Sequence, residues 1–369
     1  MDKYIEKHAH ILLNYSVRLG QGDKIAILGQ VACYPLIKEI YRQAVKMGAF
    51  PECRFMEEEL QEIVLKSGNN NQIKYVPESL EKIYKTSDVL LTIWGSNNTR
   101  IFSNIAPGRI KTYSQGRRHI IDTLFKRIAS GEARWCGTLF PTEAEAQEAS
   151  MSLSEFEEFA YEACHLNDEN PIASWKQIDY QQEKICNFLN QKEKLRITGQ
   201  DTDLMLSIKN RKWINCSGKE NFPDGEVFTS PIEDSAEGHI RFSFPAIYAG
   251  REVEDIQLTM HKGKVIKAVA VKGEDFLREM LKTDYGASFL GEVAIGTNYN
   301  IQRFSKNILF DEKIGGTTHI ALGRSLPEAG GKNISAIHWD MICDMKNGGK
   351  IYADDELIYR DGKFVIEFK

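Results

Sequence analysis

The first half of the chain alternates between short apolar segments and amphipathic segments, and this alternation constrains the fold more than any other feature. Residues 24–30, KIAILGQ, have the composition of a buried strand, and residues 34–49 follow with helical periodicity that closes at Gly48. A second such pair consists of an apolar strand candidate at residues 88–96 and a helical stretch from Pro107 to about Gly131. Short connections between alternating strands and helices predict a parallel sheet covered by helices, in outline a Rossmann-like α/β N-terminal domain.

The pattern changes near residue 190. Residues 142–193 carry acidic helical patterns, in which the glutamates are typical of a solvated helix face. From Leu195 onward the chain consists of short strand patterns separated by turns, which is typical of a mostly β domain. We therefore predict an α/β domain over residues 1–190, followed by a mixed, β-rich α+β domain over residues 191–369.

Length and charge narrow the class of protein. A chain of 369 residues with 42% hydrophobic content has enough apolar side chains for two domain cores. The net charge of -5, with basic residues interspersed, argues against nucleic acid as a partner and favours small substrates. The N-terminal segment is charged rather than like a signal peptide, and no apolar run is long enough to span a bilayer. We therefore expect a cytoplasmic protein with no membrane partner.

One short stretch of the second half collects side chains that bind metals. Residues 319–340 contain His319, His338 and Asp340. In an extended chain His338 and Asp340 share one face while Trp339 points to the other, so a single cation can contact both. An imidazole nitrogen with a carboxylate oxygen suits Zn, Mn, Co or Fe. The alternative is that these side chains only satisfy buried hydrogen bonds.

Two glutamates in strand-like surroundings favour the metal site. Glu226 lies in FPDGEVFTSP and Glu292 in FLGEVAIGTN, each next to a glycine and among apolar residues that would bury a carboxylate. A buried carboxylate needs a partner. Other kinds of catalytic site lack support, because the chain has no G-x-S-x-G nucleophile motif and no G-x-G-x-x-G phosphate-binding loop after its first strand.

Five segments in the second half resemble, in family order, those of the aminopeptidase T/aminopeptidase S (PepS) family of metallo-aminopeptidases. The matching segments are LRITGQDTDL, NFPDGEVFTSPIEDSAEG, GEVAIGTN, HIALG and GGKNISAIHWDMI. The resemblance spans nearly the whole chain. It implies a metal-dependent aminopeptidase that removes the N-terminal residue of short peptides, and it implies a homodimer.

The resemblance also implies a set of site residues. Two divalent metal ions (Zn, Co, Mn or Mg) would activate one water molecule, and residues 191–369 would be the catalytic domain. Glu292 would also belong to the catalytic residues, together with Glu312, a candidate ligand or general base. The metal ligands that the resemblance implies are Glu226, Glu292, His319, His338 and Asp340.

One position departs from the family pattern. Seven residues after the histidine of HIALG the family usually has a tyrosine, whose hydroxyl is thought to assist at the reacting carbonyl, and this chain has Leu326. Tyr299 is a candidate substitute. Two other functions stay open. The first is a mononuclear iron ring-cleaving dioxygenase, because two imidazoles and one carboxylate alone would make its iron site, although Glu226 and Glu292 argue against it. The second is a non-catalytic metal or peptide binder, which the departure at Leu326 keeps open.

Overall fold

The structure is a computed structural model that describes residues 3–248 and 250–368. The chain divides into two compact units. Unit 1 comprises Met1–Ile172 with Gly218–Pro223, and unit 2 comprises Ala173–Ser217 with Asp224–Lys369. The long helix Pro171–Leu189 ends near the predicted boundary at residue 190, whereas the two units divide between Ile172 and Ala173.

The helices account for most of the first half of the chain. In chain order they are α1 (Lys3–Ile11), α2 (Tyr34–Lys46), α3 (Glu58–Ser67), α4 (Asn70–Lys74), α5 (Glu78–Thr86), α6 (Pro107–Ala129), α7 (Glu143–Glu148), α8 (Leu153–Ala163), α9 (Pro171–Leu189), α10 (Glu274–Met280) and α11 (Ile308–Asp311). Shorter helical turns are Leu12–Ser16, Val31–Cys33, Tyr285–Ser288 and Pro327–Ala329. Among the described residues, no helix combines the length and apolar character needed to cross a membrane.

The strands account for most of the second half. In chain order they are β1 (Lys24–Gly29), β2 (Phe50–Phe55), β3 (Val89–Trp94), β4 (Arg134–Leu139), β5 (Lys194–Gly199), β6 (Thr202–Ser207), β7 (Ile214–Cys216), β8 (Asn221–Phe222), β9 (Glu226–Thr229), β10 (Glu237–Phe242), β11 (Ala246–Tyr248), β12 (Arg251–Val253), β13 (Ile256–His261), β14 (Lys264–Val269), β15 (Leu290–Gly296), β16 (Thr317–Gly323), β17 (His338–Asp344), β18 (Lys350–Ala353), β19 (Glu356–Arg360) and β20 (Lys363–Phe364).

Unit 1 contains a five-stranded parallel sheet in the order β2-β1-β3-β4-β8. Residues 25–28 of β1 are completely buried, as expected for a strand that is covered on both faces. Helix α2 follows β1 and buries Leu36, Ile37 and Ile40 at helical spacing. The parallel sheet and the alternation of strand and helix that the sequence predicts are therefore confirmed.

Unit 2 contains two antiparallel sheets that are larger than the two-stranded sheet formed by β11 and β12. One has eight strands in the order β14-β13-β10-β6-β5-β18-β19-β20, and the other has five in the order β17-β16-β15-β9-β7. Both sheets contribute to one hydrophobic core, for example through Ile197 and Leu204 of the first and Val293, Ile320 and Trp339 of the second. The chain is thus a mixed α/β protein with one parallel sheet and antiparallel sheets.

The five-stranded antiparallel sheet has two chemically different faces. Val227, Val293, Ile320 and Trp339 point into the core. Because side chains alternate along a strand, their neighbours in sequence point to the opposite face. That opposite face, called the polar face below, carries the charged side chains of the candidate site.

Candidate metal centre

Four adjacent strands supply the polar face with carboxylates and imidazoles. The register pairs Glu226 of β9 with Gly296 of β15, and Ala294 of β15 with His319 of β16. The same register pairs Ala321 of β16 with Asp340 of β17. Side chains that are far apart in sequence therefore become neighbours across the sheet. All five residues named above as metal ligands lie in this one cluster: Glu226, Glu292, His319, His338 and Asp340.

Glu292 lies between the two histidines. Its Oε1 is 3.6 Å from Nε2 of His319, and its Oε2 is 3.1 Å from Nε2 of His338. Each histidine faces a second carboxylate, with His319 Nε2 3.3 Å from Glu226 Oε2 and His338 Nε2 3.5 Å from Asp340 Oδ1. The two oxygens of Glu292 thus face two different imidazoles.

Four buried polar atoms of the cluster make no hydrogen bond. They are Glu226 Oε2, Asp340 Oδ1 and both ring nitrogens of His319, Nδ1 and Nε2. Burial of a polar group without a partner costs about 1–3 kcal/mol, and more when the group is charged. Oxygen and imidazole nitrogen atoms are also the ligands that divalent transition metals accept. The residues present therefore fit a metal centre, because bound cations would give Glu226 Oε2, His319 Nε2 and Asp340 Oδ1 a partner.

A backbone carbonyl fixes the orientation of His338. Its Nδ1 lies 2.8 Å from the carbonyl oxygen of Arg324, and a carbonyl only accepts, so Nδ1 donates. In the neutral ring Nε2 then carries the lone pair, and it faces the carboxylates of Glu292 and Asp340. A second hydrogen bond of this kind is typical of histidines that ligate metals.

The cluster offers more than one candidate cation position. Within a group, one ligand atom from each residue lies within 4.8 Å of the others. Four groups contain at least one predicted ligand, and each group shares a residue with another, so they form one continuous cluster. These groups are Cys216–Asp224–Glu226, Glu226–Glu292–His319, Glu292–His338–Asp340 and Glu312–His319–Asp340.

Burial and mutual charge shift the pKa values of the cluster. Burial raises the pKa of Glu226 to about 8, although Lys313 opposes this shift. Burial alone would raise the pKa of Glu292, but the neighbouring imidazoles of His319 and His338 outweigh it and hold the pKa at about 2.

The pKa values of the two imidazoles are raised, whereas burial alone lowers the pKa of a histidine. Burial lowers the pKa of His319, but Glu292 and Glu226 outweigh it and raise the value to about 9. Burial likewise lowers the pKa of His338, but Asp340 and Glu292 raise it to about 12. An incoming cation must therefore displace protons from the imidazoles.

Glu312 joins the cluster from the turn after α11. It forms a candidate cation group with His319 and Asp340, and its side chain is 18% exposed. Burial raises the pKa of its carboxyl group, with Lys313 opposing the shift. The structure thus places Glu312 beside the other site residues rather than on a solvated turn.

The sequence patterns did not indicate Lys313, Asp224 or Cys216 as members of the cluster. Lys313 is buried, with its Nζ 2.5 Å from Glu226 Oε1 and 2.5 Å from Glu312 Oε1. Asp224 is also buried, with Oδ1 3.6 Å from the same Nζ. Burial lowers the pKa of Lys313, but Glu226 and Glu312 outweigh this and raise it. Asp224 had a local signal in the glycine turn before Glu226, whereas nothing in the sequence marks Lys313 as buried.

Leu326 packs on the polar face of the sheet, near the carboxylates and imidazoles of the candidate metal centre. It contacts the small apolar cluster of Phe228, Ala294 and Ala329. Phe228 and Ala294 lie two residues along their strands from Glu226 and Glu292, and so on the same face. Tyr299, the candidate substitute donor, directs its hydroxyl to the carbonyl oxygen of Gly362 at 3.1 Å.

The chain matches the model of a family described as "Thermophilic metalloprotease (M29)" over residues 1–364. It is 24% identical to aminopeptidase AmpS of Bacillus subtilis (strain 168), covering 99% of this chain and 100% of AmpS. It is 23% identical to aminopeptidase T of Thermus thermophilus, covering 97% of this chain and 95% of that protein. The resemblance to aminopeptidases T and S is therefore confirmed.

A solved structure supports the fold. Wild-type AmpT from Thermus thermophilus superimposes with a TM-score of 0.86, 22% sequence identity and 99% coverage of both chains. Fold similarity of this kind extends over both units of the chain.

Proposed function

The chain belongs to the M29 family of thermophilic metalloproteases, and we propose that it cleaves the N-terminal residue from short peptides with two divalent metal ions. The chain is a metal-dependent aminopeptidase and hence a hydrolase, as its relatives are. The observation that carries the proposal is the division of the two oxygens of Glu292 between His319 and His338.

We assign the ligands from the overlapping groups of the cluster. Glu226, Glu292 and His319 would hold one ion, and Glu292, His338 and Asp340 would hold the other. Glu292 would contribute to both positions, because each of its oxygens faces a different imidazole. The unsatisfied buried atoms of Glu226, His319 and Asp340 support this assignment, since ligation gives each of them a partner.

Two bound divalent ions would supply a water of lowered pKa and a polarised scissile carbonyl. Glu312 would take the proton of the attacking water and return it to the leaving amine. Its carboxyl group lies beside His319 and Asp340, and burial raises its pKa toward the range that suits a general base near neutral pH. Glu292 would orient the reacting groups, because its carboxylate lies between the two imidazoles.

Access to the cluster is from the side of His338. Of the predicted ligands, His338 has the most exposed side chain at 30%, against 12% for Asp340 and 1% for His319. A peptide would approach there, and its free α-amine would bind among the carboxylates. Selection of that amine would restrict cleavage to the first residue of the chain.

The donor set leaves the metal to be determined among Zn, Co, Mn and Mg. Carboxylates accept all four ions, whereas the two imidazoles favour Zn and Co. We also propose that the described part of unit 1 is a Rossmann-like domain, that unit 2 is the catalytic domain, and that the protein is a homodimer. Light scattering of the purified protein tests the last point.

Metal analysis of the purified protein, paired with a screen of aminoacyl chromogenic amides, tests the proposal. We expect two divalent ions per chain, and loss of amidase activity on chelation that is reversed when Zn, Co or Mn is added. One tightly bound ion per chain at full activity would overturn the two-metal assignment. A single iron with oxygen consumption would instead support the dioxygenase alternative.

A further inference from the structure

Lys313 places a buried ammonium group inside the cluster of carboxylates and imidazoles. Its side chain is 1% exposed, and its Nζ lies 2.5 Å from Glu226 Oε1 and 2.5 Å from Glu312 Oε1. Lysine is almost never fully buried unless its charge is paired. Asp224 Oδ1, at 3.6 Å, completes the surroundings of the ammonium group. Lys313 therefore pairs with three residues that belong to candidate cation groups.

The backbone holds the ammonium group in place. The amide of Lys313 donates to the carbonyl oxygen of Phe310, and its own carbonyl accepts from the amide of Asn298, both at 3.0 Å. The Asn298 side chain donates to the carbonyl oxygen of Asp224 at 2.9 Å. The segment that carries the cation and the segment that carries Asp224 are thus joined through one asparagine.

Lys313 also determines which oxygen of Glu226 is available to a metal. The ammonium group binds Oε1, whereas Oε2 faces His319 Nε2 at 3.3 Å and makes no hydrogen bond. Rotation of this carboxylate would break a charge-assisted hydrogen bond, which is stronger than a neutral one. The ammonium group therefore keeps the unsatisfied oxygen directed toward the imidazole.

We propose that Lys313 is a built-in counter-ion of the metal centre, a positioning residue that holds Glu226 and Glu312 together without metal and opposes metal entry. This inference rests on the proposed function, because it requires the cluster to bind divalent ions. The net charge of the cluster with two bound ions supports this counter-ion role. Two divalent ions leave one excess negative charge on the carboxyl groups, and the ammonium group balances it. The carboxyl groups counted are Asp224, Glu226, Glu292, Glu312 and Asp340.

Replacement of Lys313 by methionine distinguishes the counter-ion role from a contribution of side-chain packing alone. In metal-free protein, K313M leaves the buried carboxylates without their cation, and we expect Tm to fall by about 10 °C. With Zn²⁺ bound, the dications neutralise the same carboxylates, so we expect less than half of that fall. The rise in Tm on addition of Zn²⁺ is therefore larger in K313M than in wild type.

Arg211 offers a matched control. Its side chain is 5% exposed and pairs with Glu233 at 2.8 Å, and Glu233 belongs to none of the candidate cation groups among the described residues. R211M also removes a buried cation from unit 2. We expect it to lower Tm equally with and without Zn²⁺, so its metal-induced rise matches that of wild type.

A charge-balanced double variant tests whether charge is responsible. E312Q/K313M removes one anion with the cation, and we expect its metal-free Tm to recover at least half of the K313M loss. If K313M cannot be obtained folded, recovery of folded E312Q/K313M still supports the counter-ion role. A double variant that is as unstable as K313M, or that also fails to fold, would overturn it.

The outcomes distinguish the two proposals. If wild-type protein binds no Zn²⁺ by metal analysis and shows no rise in Tm, the proposed function fails and this inference fails with it. If wild type binds Zn²⁺ but K313M shows the same metal-induced rise, only the counter-ion role is overturned. A larger rise in K313M, with an unchanged rise in R211M, supports both.

Discussion

His338 donates a hydrogen bond from Nδ1 to the carbonyl oxygen of Arg324, at 2.8 Å, and this contact directs Nε2 toward the carboxylates. Arg324 follows β16, whereas His338 begins β17, and the strands pair so that Gly323 lies opposite His338. The hairpin between the two strands therefore orients a proposed ligand through the backbone alone. No side chain has to be retained at position 324 for this contact.

H338A is expected to lose metal binding while the fold survives. Removal of Nε2 deprives one proposed metal position of a ligand, and we expect metal affinity to fall by more than about 100-fold. Metal analysis and circular dichroism measure the two effects. H239A is the control, because His239 is an exposed histidine on β10 of the same unit. Full metal content and normal turnover in H338A would show that the ligand assignment is wrong.

Acetylation of the substrate is expected to abolish cleavage. An acetylated N-terminus carries no charge and no free amine, so it loses its interaction with Glu292, Asp340 and the proposed metal ions. We expect kcat/KM to fall by at least about 1000-fold, equivalent to about 4 kcal/mol. Paired peptides that differ only in the acetyl group provide the measurement. Efficient cleavage of the acetylated member would exclude an exopeptidase.

L326Y is expected to raise kcat more than it changes KM. Leu326 packs against Phe228 and Ala294 on the polar face, so a phenol at this position would lie near the cluster. A hydroxyl that donates chiefly in the transition state acts on kcat, and we expect a gain of roughly 10-fold. L326F supplies the ring without the hydroxyl and serves as the control. Equal kinetics in L326Y and L326F, both fully metallated, would count against a donor role at this position.

Zn²⁺ is expected to stabilise the protein more as the pH rises from about 6.5 to about 9. The pKa of His319 rises from 6.5 to about 9 on folding, so its contribution to metal-free stability is full below 6.5 and is lost as the pH rises through 9. Glu226, with its pKa raised to about 8, changes stability in the same direction. A bound ion displaces these protons, so the metal-loaded form escapes the loss.

Thermal melting with and without Zn²⁺ across this pH range measures the effect. The metal-free Tm should fall with pH while the metal-loaded Tm changes less. Glu292 does not interfere, because its pKa is held at about 2 and it stays ionised throughout. A metal-induced rise in Tm that shrinks as the pH increases would contradict the assignment of His319 as a ligand.

Local patterns in the sequence are sufficient to predict helices and strands such as β1 and α2. The apolar run of β1 and the helical periodicity of α2 predict their structures directly, because each pattern repeats over a few neighbouring residues. Strand alternation likewise predicts that His338 and Asp340 lie on one face of the strand and Trp339 on the other. The two acidic positions, Glu226 and Glu292, were marked by glycines and apolar neighbours.

Only the tertiary structure decided how these residues meet. The order β17-β16-β15-β9 places Asp340 and Glu226 in one cluster, and no local pattern specifies which strands become neighbours. Lys313 is the clearest case. A lysine in sequence is most simply read as an exposed residue, because burial of its charge is unfavourable by itself. Its burial is stabilised by Glu226, which is 87 residues away, so the charge pairing exists only after the sheet has assembled.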